Sequence, residues 1–406
     1  MSKVTILQVV PRLEAGGSEQ TTVEIADALA RAGARALVAT EGGRMATAIE
    51  RSGGEIVPLP VASKNPLTLL SNAGALARLI EERGVDLVHA RSRAPAWSAL
   101  LAARVTGRPF VTTYHGAYGK PGPLKALYNS VMGRGDRVIA NSAYTAALIA
   151  SRQPEARARI RVLYRGIDSA IYDPQAIPAE RVAALRRAWD VEPETRIVLQ
   201  AGRLSGIKGQ RQTIEAASRL ARDGKLADAV VILAGDDAPG KAGYRRELLD
   251  LVAQSGLAGE VRLVGHCSDM PAAFLAAHVT LMPSLVPETF GRASVEAQAM
   301  GCPVIASDLG ALPETITASG TAAGFTGWLV TPADPAALAG AIAHALALSP
   351  AERAKIGERG RARVAARFTL SGLQRATLAV YDELLGSQLA RRFNQGVRAA
   401  ARPTLD

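Results

Sequence analysis

Val279-Thr-Leu-Met-Pro283-Ser-Leu-Val-Pro-Glu288-Thr-Phe-Gly291-Arg-Ala-Ser-Val-Glu296-Ala-Gln-Ala-Met-Gly301-Cys-Pro303-Val-Ile-Ala-Ser307 reads as strand, loop, helix, strand. Two apolar runs of strand length, 279–283 and 303–307, flank a stretch that passes from a loop containing Pro287 into a helix. That rhythm is a βαβ unit, and it extends in both directions. Upstream in the same half, strands are expected at 196–201, 230–235 and 261–265, and a short one follows at 328–330. Residues 334–386 read as almost wholly helical, with a break near Phe368-Thr369. The first half repeats the pattern, with strands at 3–10, 34–40, 55–60, 86–90, 110–115, 137–141 and 161–164. Helical stretches at 18–32, 66–83 and 94–106 lie between them. Arg165-Gly-Ile-Asp-Ser-Ala-Ile-Tyr-Asp-Pro174 breaks the rhythm with Gly, two Asp and Pro and reads as a linker. The fold class is therefore α/β, with parallel sheets. Two doubly wound, Rossmann-like domains are expected, 1–170 and 171–374. Ligands are expected in a cleft between them, at the C-terminal ends of the strands.

Length and composition agree. At roughly 150 residues per domain, 406 residues give two domains or a little more. Apolar residues at 48% and charged residues at 21% supply two cores and exclude disorder over most of the chain. No run of about 18 apolar residues is present, so no spanning helix is expected. The first run, 3–10, has strand length and no small-residue cleavage site, so a signal peptide is not expected. Cys267 and Cys302 form neither a CxxC pair nor a metal cluster. A disulfide scaffold and a zinc site are excluded on that count, and a reducing cytoplasm fits.

The net charge of +11 is unevenly spread. Residues 1–170 carry 22 basic against 13 acidic residues, 171–387 carry 22 against 23, and 388–406 carry 4 against 1. The excess sits in the first half and the tail. A basic face suits anionic lipid head groups or acidic saccharides; a generally Arg-rich proteome would also produce one. Nucleic acid is disfavoured, because aromatics are only 4% and no RNA-binding or zinc-finger signature is present. The apolar stretch 114–128, with Tyr118, Leu124, Leu127 and Tyr128, reads either as a core-facing helix or as an amphipathic segment able to insert shallowly.

Residues just after strands are the candidates for chemistry. Gly16-Gly17-Ser18-Glu19 opens a helix after the first strand. Its glycines permit close approach of a ligand, although a Ser cap after a Gly turn explains it equally well. It is not the GxGxxG of a nicotinamide enzyme. His115 ends a strand beside Gly116, where it suits a sugar hydroxyl or a developing charge, or is simply a satisfied loop histidine. Gly202-Arg203 and Lys208-Gly209 place two cations at the top of the second sheet. That arrangement suits a diphosphate leaving group; surface charges around a loop are the other reading. Glu288 lies in the loop before a helix and Glu296 over a turn into it, with Thr289, Phe290 and Gly291 between. Such a loop can hold a phosphate on backbone N–H groups while carboxylates accept from hydroxyls.

Glu288-x7-Glu296, with Phe290-Gly291 and Ala297-x-Ala-x-Gly-x-Pro303, resembles the signature of retaining glycosyltransferase family 4. The remaining motifs fall in the same order: Gly16-Gly17, His115, Asn141-Ser142, Gly166-Ile-Asp168, Gly202-Arg203 with Lys208-Gly209, Gly235, Pro313-Glu314 and Gly327-Trp-Leu-Val330. The resemblance covers nearly the whole chain. It implies the GT-B architecture, with the acceptor on the N-terminal domain, a UDP- or GDP-linked sugar on the C-terminal domain, and a last helix, within 375–406, packing back on the N-terminal domain. By the same resemblance, Arg203 and Lys208 bind the diphosphate and stabilise it as it leaves. Glu288 contacts the sugar hydroxyls, Glu296 takes the ribose hydroxyls, and Gly16 and Gly17, with Gly202, admit the phosphates. His115 touches the sugar near its reacting carbon, and 264–269 borders the base. Catalytic roles thus fall to His115, Arg203, Lys208 and Glu288. One departure is Arg91-Ser92-Arg93, more cationic than the family leads one to expect, and assigned to this protein's own acceptor.

No Asp-x-Asp pair exists in the chain, so no diphosphate-bridging metal and no cofactor are expected. Cations and backbone N–H groups are left to neutralise the leaving nucleotide. The resemblance implies retention of configuration. The expected protein is a metal-independent hexosyltransferase of lipopolysaccharide or polysaccharide biosynthesis. It is expected in the cytoplasm, with peripheral contact at the anionic inner face of the membrane. A nucleotide-sugar epimerase of the same architecture would lack an acceptor, and the full Glu-x7-Glu signature argues against it. A two-lobed sugar-binding protein would need export.

Overall fold

In the computed structural model the chain is described over residues 3–14, 16–116, 122–237, 243–318 and 324–400, without the side chains of 397–400. It divides into two compact units. One runs to Tyr164 and resumes at Leu370, and the other is Arg165–Thr369.

In the first unit the elements alternate as β1 (Thr5–Val9), α1 (Gly17–Arg31), β2 (Arg35–Thr40), α2 (Ala46–Arg51), β3 (Glu55–Pro58), α3 (Pro66–Glu82), β4 (Leu87–Ala90), α4 (Arg93–Val105), β5 (Phe110–Tyr114), α5 (Pro123–Ser130), β6 (Arg137–Ala140), α6 (Ala143–Arg152) and β7 (Ile160–Val162). The strands form a parallel sheet in the order β3-β2-β1-β4-β5-β6-β7. The order reverses between β1 and β4, so a crevice opens above their C-terminal ends. The segments entering α1 and α4 leave the sheet there.

The second unit runs α7 (Ala179–Ala188), β8 (Arg196–Ala201), α8 (Gln210–Arg222), β9 (Ala229–Ala234), α9 (Tyr244–Gln254), β10 (Val261–Gly265), α10 (Met270–Ala276), β11 (Val279–Met282), α11 (Arg292–Ala299), β12 (Val304–Ser307), α12 (Leu312–Thr315), β13 (Gly327–Val330), α13 (Pro335–Leu346) and α14 (Pro350–Arg367). Its parallel sheet has the order β10-β9-β8-β11-β12-β13, with the switch between β8 and β11. Each sheet is covered on both faces by helices, and the strands are correspondingly buried, including all five residues of β1 and all six of β9.

The chain then returns to the first unit as α15 (Leu370–Leu385) and α16 (Leu389–Ala400). Leu378, Tyr381, Leu389 and Phe393 join the core formed by Ile25, Leu29, Val38 and Ile139. Gln374 donates to the Glu24 carbonyl at 2.8 Å, and Glu383 pairs with Arg137 at 2.7 Å and Arg161 at 3.0 Å.

Three details differ from the sequence reading. Residues 165–174 are not a free linker but belong to the second unit, where the Ile167 N–H donates to the Phe368 carbonyl at 2.9 Å. The helical end has a second break, at Ala347–Ser349, where Ser349 and Glu352 form a capping box around Pro350. The stretch 114–128 is not a core-facing helix: within α5, Leu124 is 86% and Leu127 57% exposed, and Tyr118 lies outside the described residues. Among the described residues no helix is long and apolar enough to cross a membrane.

Candidate functional site

The second unit concentrates the expected residues above the switch point of its sheet. After β8 the backbone turns through Gly202 and Arg203 into a short 3-10 turn, Gly206–Lys208, and then into α8. Gly209 has φ +77, and a Cβ there would lie 2.0 Å from the Pro283 carbonyl oxygen. Only glycine therefore allows the loops after β8 and β11 to touch. The Leu285 N–H donates to Ile207 O at 2.9 Å and ties the same two loops. Gln200 Nε2 donates to Lys208 O at 2.8 Å, while Gln200 Oε1 accepts from Thr213 at 2.7 Å, which locks the start of α8.

This closeness brings Lys208 Nζ to 2.5 Å from Glu288 Oε1, and Ser284 Oγ donates to the same oxygen at 2.7 Å. Both side chains of the ion pair keep some solvent contact, 29% for Lys208 and 20% for Glu288. The Glu288 backbone is held by the loop after β12: Ala311 N–H donates to Glu288 O at 2.9 Å, and Gly310, at φ +65, leaves no room for a Cβ beside that peptide. Arg203 is exposed, and its carbonyl accepts from Gln210 at 3.0 Å. Among the described residues it forms no ion pair, in contrast to Lys208.

Thr289, Phe290 and Gly291 lead into α11. Phe290 is buried edge-on against Phe368 at 5.8 Å, and Gly291 caps the helix. Phe290 is thus an anchor for the loop. Glu296, one turn into α11, is 8% exposed and accepts from Arg292 Nε at 2.5 Å. The sequence reading missed its second partner, Tyr172. Burial pushes the Tyr172 phenol well up, and the hydrogen-bonded Glu296 carboxylate pushes it further. Tyr172 carries no signal of its own, because it lies in a stretch whose Gly, Asp and Pro content speaks only of irregular backbone. At the end of β10, the region read as bordering the base has Asp269 capping α10 and pairing with Arg181 at 2.7 Å.

In the first unit, Gly16 and Gly17 open α1 and His115 follows β5, half-buried. Asn141-Ser142 belongs to a helix start: Ser142 Oγ accepts from Thr145 N–H at 3.0 Å. Arg91 corrects an expectation. It is not a surface cation of an acceptor loop. It is 2% exposed, and its Nε and Nη2 donate to Gln8 Oε1 at 2.8 and 2.6 Å. Gln8 lies on β1 and Arg91 just past β4, so the pair staples the two strands at the switch. Burial without an adjacent carboxylate bond lowers the Arg91 pKa; the Tyr381 and Glu24 charges act the other way. Arg93 Nη1 donates to Asn129 Oδ1 at 2.8 Å, and its guanidinium lies over Tyr128.

A buried histidine that the sequence reading passed over sits beside Arg91. His89 Nδ1 lies 2.7 Å from Tyr381 Oη and Nε2 lies 2.7 Å from Thr113 Oγ1. Burial lowers its pKa well below the usual value, and the charges of Arg91 and His115 lower it further. His89 thus joins β4, β5 and the returning helix α15 as a neutral ring.

Among the described residues no group of three or more His, Cys, Asp or Glu is placed to hold a metal ion. In the second unit the chemistry at hand is a cation-rich strand end with two carboxylates suited to hydroxyls.

Comparison with known proteins gives the family and the fold. A family model described as Glycosyltransferase Family 4 matches residues 15–170, and one described as Glycosyl transferases group 1 matches 182–363. A D-inositol 3-phosphate glycosyltransferase of Mycolicibacterium vanbaalenii is 30% identical over 343 residues, 78% of this chain and 71% of that protein. The crystal structure of a glycosyltransferase from Rickettsia africae is 32% identical, with a TM-score of 0.87 over 96% of this chain and 100% of that one. Anabaena HepE, crystallised with UDP and glucose, shares the fold at 24% identity and a TM-score of 0.79, over 94% of this chain and 100% of its own. With the two family regions in order along the chain and a relative alike over most of both lengths, the protein belongs to the glycosyltransferases of family 4, with the GT-B fold.

Proposed function

We propose that this glycosyltransferase moves a hexose, with retention and without a metal, from a UDP- or GDP-sugar to a lipid-linked or envelope glycan of the lipopolysaccharide or polysaccharide kind. The observation that carries the reading is the Lys208–Glu288 contact at 2.5 Å above the β8–β11 switch. A mobile ammonium beside a carboxylate suits an arriving sugar diphosphate: the phosphate takes the lysine, and the sugar hydroxyls take the glutamate. Arg203, exposed on the same strand end, adds the second cation. Glu296, oriented by Arg292 and Tyr172, suits a ribose diol.

The reaction follows from charge. The bond between the anomeric carbon and the diphosphate oxygen breaks, and the carbon becomes oxocarbenium-like. Arg203, Lys208 and the backbone N–H groups at Thr289–Gly291 stabilise the departing negative charge. The acceptor oxygen bonds to the same face, and its proton passes to the leaving diphosphate oxygen. His115 is assigned to the sugar side of this step, and Gly16, Gly17 and Gly202 to the approach of the phosphates. The basic first unit is assigned to the acceptor, with peripheral contact to anionic membrane on the cytoplasmic side. Neither a nucleic acid nor a bound cofactor takes part.

The test is thermal denaturation with a panel of UDP-, GDP- and ADP-sugars. Binding to the folded state alone raises stability by about 2.7 kcal/mol at a hundredfold excess over Kd. A shift with one sugar nucleotide, lost in Glu296→Ala, is expected. No shift with any of them would refute the nucleotide-sugar reading.

A further inference from the structure

Phe368 ends α14 and is fully buried, one residue before the chain leaves the second unit. Its place is fixed from several sides. The Phe368 N–H donates to the Val364 carbonyl at 2.8 Å, and the Phe368 carbonyl accepts from the Ile167 N–H at 2.9 Å. The guanidinium groups of Arg363 and Arg367 lie 5.8 and 5.7 Å from its ring centre. Arg363 is itself tied to α12: its Nη2 donates to the Glu314 carbonyl at 2.7 Å and its Nε to that of Thr315 at 3.2 Å.

This fixed ring meets one side chain of the donor loop. Phe290 stands edge-on to it, with ring centres 5.8 Å apart and planes at 72°. Phe290 is buried between Thr289 and Gly291, two residues after Glu288. Glu288 is held by the Ala311 N–H, but the turn that follows it is backbone of a soft kind. Gly291, the N-cap of α11, has φ +89, and no side chain caps that helix. Among the described residues the N–H groups of Phe290 and Gly291 donate to no protein acceptor. In a glycine turn the anchoring side chain decides where such donors point. A displacement of about 1 Å in a group that holds a ligand costs on the order of 100-fold.

We propose that Phe368 is a positioning residue for the donor: through Phe290 it sets the N–H groups of the 289–291 turn against the diphosphate. It touches no substrate itself. An aliphatic side chain of similar bulk fills the same space but lacks the ring that fixes Phe290 edge-on. The inference rests on the donor reading given above. On that reading Glu288 takes the sugar hydroxyls, so the adjacent turn serves the phosphate that carries the sugar, which a nucleoside monophosphate lacks.

The experiment is calorimetric titration of the full chain with UDP, GDP and ADP, each beside its monophosphate. Wild-type protein is expected to prefer one diphosphate over its monophosphate by about tenfold or more. Phe368→Leu should weaken that diphosphate about tenfold and change the monophosphate less than about twofold, so that the preference nearly vanishes. Phe290→Leu cuts the same contact from the loop side. It should show the same loss, as should the double variant, and it carries the test should Phe368→Leu fail to fold. Phe274→Leu is the control for stability alone: Phe274 is equally buried in the same unit and makes none of these contacts. It should lower the melting temperature comparably and keep the preference. A preference retained in the Phe368 and Phe290 variants, or lost equally in Phe274→Leu, overturns the inference and leaves the donor reading in place. Wild-type protein that binds none of the three diphosphates overturns the donor reading, and this inference with it.

Discussion

Lys208 and Glu288 stand 80 positions apart and meet at 2.5 Å because β8 and β11 are neighbours in the second sheet. Each residue follows its strand, and Gly209 lets the two loops close to contact. The pair is only partly buried, so its net worth to stability is small, on the order of 1 kcal/mol or less. Its value lies in what it presents to a ligand.

Lys208→Ala and Glu288→Gln should each lower turnover by about 100- to 1,000-fold, the range for removing one group that stabilises transition-state charge. The melting temperature should move little. Single-turnover transfer assays beside melting curves check this, and transfer near the wild-type rate in either variant would remove the pair from the chemistry.

Transfer should survive EDTA. The chain lacks an Asp-x-Asp pair, and the described residues offer no three-ligand cluster. Loss of activity on chelation, restored by magnesium or manganese, would contradict this.

The excess charge of the first half and the tail should show as binding to anionic vesicles at low salt. Each basic residue near such a surface contributes about 1 kcal/mol, and salt screens it. Co-sedimentation that does not differ between anionic and neutral vesicles would assign the charge to composition alone.

Arg91→Ala should act on stability rather than on the acceptor. It strands Gln8 Oε1 in the core and opens a cavity, which together cost about 3 kcal/mol. Arg93→Gln leaves a long polar side chain near Asn129 and should cost under about 1 kcal/mol. Denaturant midpoints of the two variants decide it. A raised acceptor KM with unchanged stability in Arg91→Ala would restore Arg91 to the acceptor site.

His89 predicts an acid-sensitive first unit. Its pKa is depressed in the folded chain, so the unfolded chain binds the extra proton below about pH 6.5. Stability then falls on acidification, by up to about 1.4 kcal/mol per pH unit for this one group. The half-buried His278, also depressed, adds to it. Carboxylates held low by arginines, such as Glu383 and Asp269, lose their contribution only below about pH 4.5, so the window from pH 6.5 to 5 reports the histidines. His89→Gln should flatten the slope of melting temperature in that window, and an unchanged slope would refute the assignment.

The alternation of apolar runs and helical stretches was legible in the chain itself. Strand direction, helix placement and the two-domain plan follow from local periodicity, which depends on neighbours a few residues away. The candidate carboxylates were legible for the same reason: Glu288 and Glu296 belong to one loop and the helix it enters, and their spacing is a property of a single segment. What the chain could not display was pairing between segments. Arg91 and Arg93 look alike as cations after a strand. Only the adjacency of β1 and β4 puts Gln8, 83 positions away, against Arg91 and takes its charge out of water, while Arg93 reaches α5 instead. Tyr172 becomes a partner of Glu296 only when its irregular segment folds onto α11. His89 becomes a neutral buried ring only when α15, 292 positions downstream, returns to cover it. Periodicity is written in the sequence, but burial, and with it the charge a side chain carries, is set by which distant segments the fold brings together.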